Sequence, residues 1–124
     1  MDLTLGMAFR CMAEPRHIYV PLFDPSRDAD EMLFVNFTTL RDKWVDDACI
    51  LEKTDYVELK HRTTVAYSRA NIYKKTLFCA AVENNHFVRL DDLPDETLRK
   101  IILGAFASNE LPERKKGILP KTYH

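Results

Sequence analysis

The run Met32-Leu33-Phe34-Val35-Asn36-Phe37-Thr38 constrains the fold more than any other stretch of this chain. It is rich in aromatic and β-branched residues and reads as a strand. Shorter candidates flank it. Residues 7–11 read as an edge strand and residues 18–22 as another, with Pro21 holding the second to an edge or an early end because proline cannot donate to a ladder. Residues 48–51 form a short apolar run, and 63–67 a β-branched strand. Between the strands, residues 23–30 carry Pro25, Ser26 and three aspartates, a polar turn region.

The second half changes period. Leu77, Phe78, Ala81 and Val82 recur at i, i+1, i+4 and i+5, which predicts a short helix over 76–83. Leu98, Ile101, Ile102, Ala105 and Phe106 make one apolar stripe at helical spacing, with Arg99 and Lys100 on the opposite face. Asp92 is the expected cap of that last helix, Pro94 is tolerated in its first turn, and Pro112 marks its stop. The stretch from Leu111 to His124 holds Arg114, Lys115, Lys116 and Lys121 against Glu113 and reads as a solvated basic tail. Short strands followed by an amphipathic helix predict an α+β, mainly β fold. The expected form is a small barrel with the helix packed on its flank or on a second subunit.

At 124 residues the chain suits one domain, 1–124, able to bury a core without disulfide or metal staples. Apolar residues at 46% and charged residues at 30% argue against disorder. With 18 basic and 19 acidic residues the net charge is −1, so any nucleic-acid surface must be a local patch. Cys11, Cys49 and Cys79 match no zinc spacing and read as reduced thiols buried as small hydrophobes. His17, His61, His86 and His124 show no ligand spacing either, so neither a metal nor a cofactor is expected. Three glycines leave no glycine-rich phosphate loop. The first residues lack a basic region followed by a long apolar one, and no run is long enough to span a membrane; a cytoplasmic protein is expected.

Three stretches, taken in order, resemble the PemK/MazF family of toxin-like proteins. Arg16-His17-Ile18-Tyr19-Val20 is similar to the family's arginine leading into its second strand. Val35-Asn36-Phe37-Thr38-Thr39, with Arg41 and Lys43 after it, is similar to a strand ending in a threonine pair and a basic residue. Leu90-Asp91-Asp92-Leu93-Pro94-Asp95-Glu96-Thr97-Leu98 is similar to the acidic start of the last helix. The run Arg62-Thr63-Thr64-Val65-Ala66-Tyr67 adds a less distinctive likeness. Together these cover about residues 6 to 108. The chain departs from the family where His17 replaces the usual proline, at Gly6-Met7, and in a very short loop between the first two strands.

The resemblance implies an SH3-like barrel that works as a homodimer and cuts single-stranded RNA without a metal, as the toxin of a type II toxin–antitoxin pair. It implies a protein antitoxin as partner. Arg16 and Thr38 are then the candidate catalytic residues, the first placing a planar guanidinium on phosphate and the second a hydroxyl. His17, Thr39, Arg41, Lys43 and Trp44 are candidate substrate-binding residues, and His17 is also a candidate acid or base near neutral pH. Trp44 is open to three readings: stacking on a base, sealing a dimer or simple packing. His61 and Arg62 read as a solvated start of a strand, and Asp46-Asp47 as a turn or cap. The acidic stretch 24–31 would repel phosphate if it lay beside the site. With the near-neutral charge, it favours the alternative, a non-catalytic small-barrel module that binds another protein.

Overall fold

In the computed structural model, which describes residues 1–40 and 46–121, the predicted strand runs over Met32–Thr39 (β3) and is the spine of the molecule. Side chains alternate across a strand, so Leu33, Val35 and Phe37 enter one buried cluster while Met32 and Phe34 enter another on the opposite face. Along one edge β3 pairs antiparallel with Ile18–Leu22 (β2), from Tyr19↔Asn36 to Leu22↔Leu33. The other edge carries two short strands. Thr63–Val65 (β5) pairs with Phe37 to Thr39, and Asn71–Tyr73 (β6) pairs with Met32 to Phe34.

The sequence predicts a strand over 63–67, but the pairing stops at Val65 and Tyr67–Arg69 turns as a 3₁₀ helix. The physical reason lies in Tyr67. Its ring is fully buried, its hydroxyl donates to the Ile101 carbonyl at 2.6 Å, and its N–H donates to the Asp46 carboxylate at 3.0 Å. Asp46 thus caps this turn, and burial pushes its carboxyl pKa upward.

Phe9–Cys11 (β1) pairs with β2 on one side and with Phe87–Arg89 (β7) on the other, so the expected edge strand has two neighbours. The edge belongs instead to β7, three residues long and mostly exposed. Pairing of β1 with β2 ends at Phe9↔Tyr19, so at Pro21 only β3 lies alongside, as a residue without an N–H requires. Ile50–Leu51 (β4) pairs with β5 and closes the order β4-β5-β3-β2-β1-β7, with β6 beside β3. The result is an antiparallel sheet in a mainly β, α+β fold. Among the described residues its two ends, β4 and β7, do not pair with each other, so the sheet stays open.

Helices cover both faces. Asp95–Ala107 (α2) buries Leu98, Ile101, Ile102 and Ala105 among Val20, Val35 and Leu51; full burial of each large aliphatic side chain contributes roughly 1.5–3 kcal/mol. Lys75–Glu83 (α1) lies on the other face through Phe78, whose ring meets those of Phe9 and Phe34 at 4.9 Å each. Leu77, predicted on the buried stripe of α1, is 64% exposed. Asp92 does not cap α2. It pairs with Arg89 at 3.0 Å, Pro94 occupies the cap position, and Asp95 and Glu96 in the first turn complement the helix dipole.

The basic tail is not simply solvated. Leu111, Ile118 and Leu119 join the α2-side core around the short helix Glu113–Lys116 (α3). Lys115 donates to the Ala70 carbonyl at 2.6 Å and Lys116 to that of Phe106 at 2.8 Å. Of the cysteines only Cys49 is buried, and burial raises its thiol pKa to about 11; Cys11 and Cys79 are partly exposed.

Two predictions test these joints. A Cβ on Gly104 of α2 would stand 2.5 Å from the Tyr67 hydroxyl and 2.8 Å from Cys49 Cβ. Gly104→Ala is therefore expected to destabilise by about 1–3 kcal/mol in urea unfolding, although alanine ordinarily gains about 1 kcal/mol over glycine in a helix. Asp55, in the 3₁₀ turn Lys53–Asp55, accepts the Glu52 N–H at 2.7 Å and the Lys100 ammonium at 3.1 Å, and its carbonyl accepts the Thr97 hydroxyl of α2 at 2.5 Å. The Glu52 hydrogen bond, then Lys100, hold its carboxyl pKa below the ordinary value. The resulting stabilisation is fully present above the unfolded pKa, near 3.9, and is lost as pH falls through the folded one. Asp55→Asn should lower the melting temperature at pH 7, with the difference from wild type narrowing as pH falls below the ordinary aspartate value and through the lower folded one.

Candidate functional site

The β2–β3 hairpin has two unlike ends. Residues 23–31 join the strands at one end, and His17-Ile18 and Thr38-Thr39 lie at the other. The separation along β2 is about 13 Å at roughly 3.3 Å per residue, beyond the screening length of about 8 Å at physiological salt. At the loop end the acids have local partners. Asp24 accepts from the Ser26 N–H and hydroxyl, and Asp30 from the Thr76 N–H and hydroxyl at the start of α1; these bonds hold both carboxyl pKa values low. Arg27 of the same loop reaches the Gly117 carbonyl at 3.2 Å. The acidic stretch thus faces α1 and the C-terminal segment, away from the opposite end of the hairpin.

At that opposite end lies an open polar groove of about 360 Å³. Its floor is apolar, formed by Ile18, Phe37 and Leu59. Four residues singled out from the sequence line it: Arg16, His17, Thr38 and Thr39. The register explains the meeting. Tyr19 pairs with Asn36, and the same pairing carried two residues further sets His17 opposite Thr38. On the other side of β3, Thr38↔Thr64 and Thr39↔Thr63 bring up β5 and the residues before it. Arg41, Lys43 and Trp44 lie outside the described residues.

The groove also takes residues the sequence did not assign to it: Arg10, Glu58, Lys60 and His61. Arg10 of β1 donates to the Arg16 carbonyl at 3.3 Å and approaches Glu58 at 3.8 Å. His61 is exposed, as expected for a solvated start of a strand, and its carbonyl accepts the Thr63 hydroxyl at 2.8 Å. Arg62 turns away and pairs with Glu52 at 2.7 Å. A cation, a carboxylate and an imidazole within the four residues Glu58 to His61 were a visible signal, but nothing in the sequence set them opposite Thr38.

Arg16 is 54% exposed and pairs at 3.3 Å with Glu14, itself 82% exposed. An ion pair this open contributes about 0–1 kcal/mol, so an incoming anion competes with it easily. The groove therefore combines two guanidiniums and an ammonium, which bind phosphate oxygens, with two imidazoles and threonine hydroxyls. Among the described residues no group of three or more His, Cys, Asp or Glu is gathered to hold a metal ion, and no helix is long and apolar enough to cross a membrane. Comparison with family models, with curated proteins and with solved structures finds no match for the chain.

Proposed function

We propose that this groove binds the backbone of single-stranded RNA and cleaves it with the chain's own cations, acid and base, as a toxin-like endoribonuclease. The observation that carries the reading is the meeting of Arg10, Arg16 and Lys60 with His17, His61, Glu58 and the Thr38 hydroxyl in one open groove. RNA supplies its own nucleophile. The 2′-oxygen attacks the adjacent phosphorus while a base takes its proton; the bond from phosphorus to the 5′-oxygen then breaks, and an acid protonates that oxygen. The products are a 2′,3′-cyclic phosphate and a 5′-hydroxyl, and no metal is required.

His17 and His61 are the pair for the two proton transfers. Arg16 and Lys60 offset the charge that builds on the pentacoordinate phosphorus, where fixed donors act most strongly. Arg10, steadied by Glu58 and the Arg16 carbonyl, adds to that field, and Thr38 donates a neutral hydrogen bond. The reading extends to the PemK/MazF resemblance. On it, the open sheet is a divergent form of the SH3-like barrel, the active species is a homodimer, and a protein antitoxin covers the groove.

The test is cleavage of a single-stranded RNA by purified wild type and by variants shown to be folded by circular dichroism. Arg16→Ala should lose about 10²–10³ in rate. Arg16→Lys should restore little, because an ammonium lacks the planar fork, and Thr38→Val should cost less than Arg16→Ala. Removing either imidazole should abolish one limb of a bell-shaped pH profile. A 2′-deoxy substrate should resist cleavage, and a chelator should change nothing. Wild type that cuts no RNA, or Arg16→Ala and His61→Ala that cut at the wild-type rate, overturns the proposal.

A further inference from the structure

Beside the polar groove, on the α1 side of the sheet, opens a second and larger pocket of about 570 Å³. His17 lines both, so the two cavities meet at one side chain. We infer that this pocket is a nucleobase site, seating a base of the strand whose phosphate lies in the groove. The inference rests on the reading of the groove as an RNA site and adds to it the means of base recognition.

The walls are aromatic. The Tyr19 and Phe34 rings stack at 4.5 Å and 14°, and Tyr73 stands edge-on to Phe34 at 5.6 Å and 83°. Tyr73 is 49% exposed and Leu77 at the rim 64% exposed, an apolar surface that the fold leaves uncovered. A flat π-system is the occupant such walls favour, and stacking on one ring contributes about 1–3 kcal/mol per base.

Polar groups are few and placed to read an edge. Asn36 is 4% exposed, and its Nδ2 donates to the Phe37 carbonyl at 3.3 Å. Asn71 and Arg69 stand exposed at the mouth, and Arg69 makes no ion pair among the described residues. Burial, with Cys11 and Tyr73 nearby, raises the Tyr19 hydroxyl pKa. A purely aliphatic ligand would offer these amides and the guanidinium nothing, whereas the hydrogen-bonding edge of a base can pair with them. Aromatic faces continuous with a cationic groove are the combination that single-stranded RNA uses.

The experiment separates base from phosphate. The four ribonucleosides, which carry no phosphate, and an abasic ribose–phosphate oligomer, which carries no base, are titrated separately into the protein and followed by NMR. At least one nucleoside should shift the Tyr73 and Phe34 ring resonances at millimolar concentration, and the oligomer should shift those of His17 and His61. Tyr73→Ala should weaken nucleoside binding roughly 5- to 150-fold and leave the oligomer unaffected, while Tyr73→Phe, which keeps the ring, should retain it. If no nucleoside moves the rings while the oligomer moves the imidazoles, the base site is overturned and the groove reading stands. If nucleosides bind and the oligomer does not, the base site stands and the groove reading falls. If neither binds, both fall. A concentration-dependent dimer that Tyr73→Ala dissociates, without nucleoside binding, would assign the pocket to a second copy of the chain and overturn the inference.

Discussion

The structure depends on β3 being paired along both edges and buried on both faces. A strand in that position cannot slip by one residue without exchanging Leu33, Val35 and Phe37 for Met32, Phe34 and Asn36, which would put an amide into the α2-side core. The register is thereby pinned, and with it everything hung on the strand. β2 lies along one edge, β5 and β6 along the other, α2 below and α1 above. The strand leaves burial only at its end, where Thr38 is half-buried and Thr39 exposed. That emergence makes a functional surface possible there: paired, rigid backbone delivers polar side chains to solvent beside the start of β2.

The hairpin also sorts charge. A net charge of −1 says little about phosphate, because the molecule is not a uniform sphere of charge. Carboxylates at the 23–31 end serve local turns and the start of α1, while arginine, lysine and histidine gather at the far end. An acidic stretch that weighs against RNA binding in the linear sequence is, in the fold, separated from the groove by more than a screening length.

The α2 side shows how buried polar atoms hold elements in place. The Tyr67 hydroxyl reaches the Ile101 carbonyl and the Thr97 hydroxyl reaches that of Asp55, so α2 is fastened at two points as well as packed. Gly104 lets the helix approach close enough for the first of these contacts. The tail contributes similarly. Lys115 and Lys116 are spent on the carbonyls of Ala70 and Phe106, which leaves less free positive charge in this segment than its composition advertises.

The sequence by itself determined the elements whose signal is long and periodic. β3, β2 and α2 fall within a few residues of where strand-forming residue types and helical spacing put them, because a run of buried residues leaves its mark in the chain. It also singled out Arg16, His17, Thr38 and Thr39, whose meeting needs only the short hairpin between two legible strands. Tertiary structure alone decided the rest. β6 and β7 are three residues each and largely exposed; they exist because β3 and β1 offer unpaired edges, and such strands carry no hydrophobic period of their own. Leu111, Ile118 and Leu119 are too few and too scattered to announce burial beneath a basic tail. Arg10, Glu58, Lys60 and His61 join the groove from segments up to some fifty residues apart. Their proximity is set by the ladders of β1 with β2 and of β5 with β3, and a chain records its own local preferences far more plainly than which distant backbone its hydrogen bonds will find.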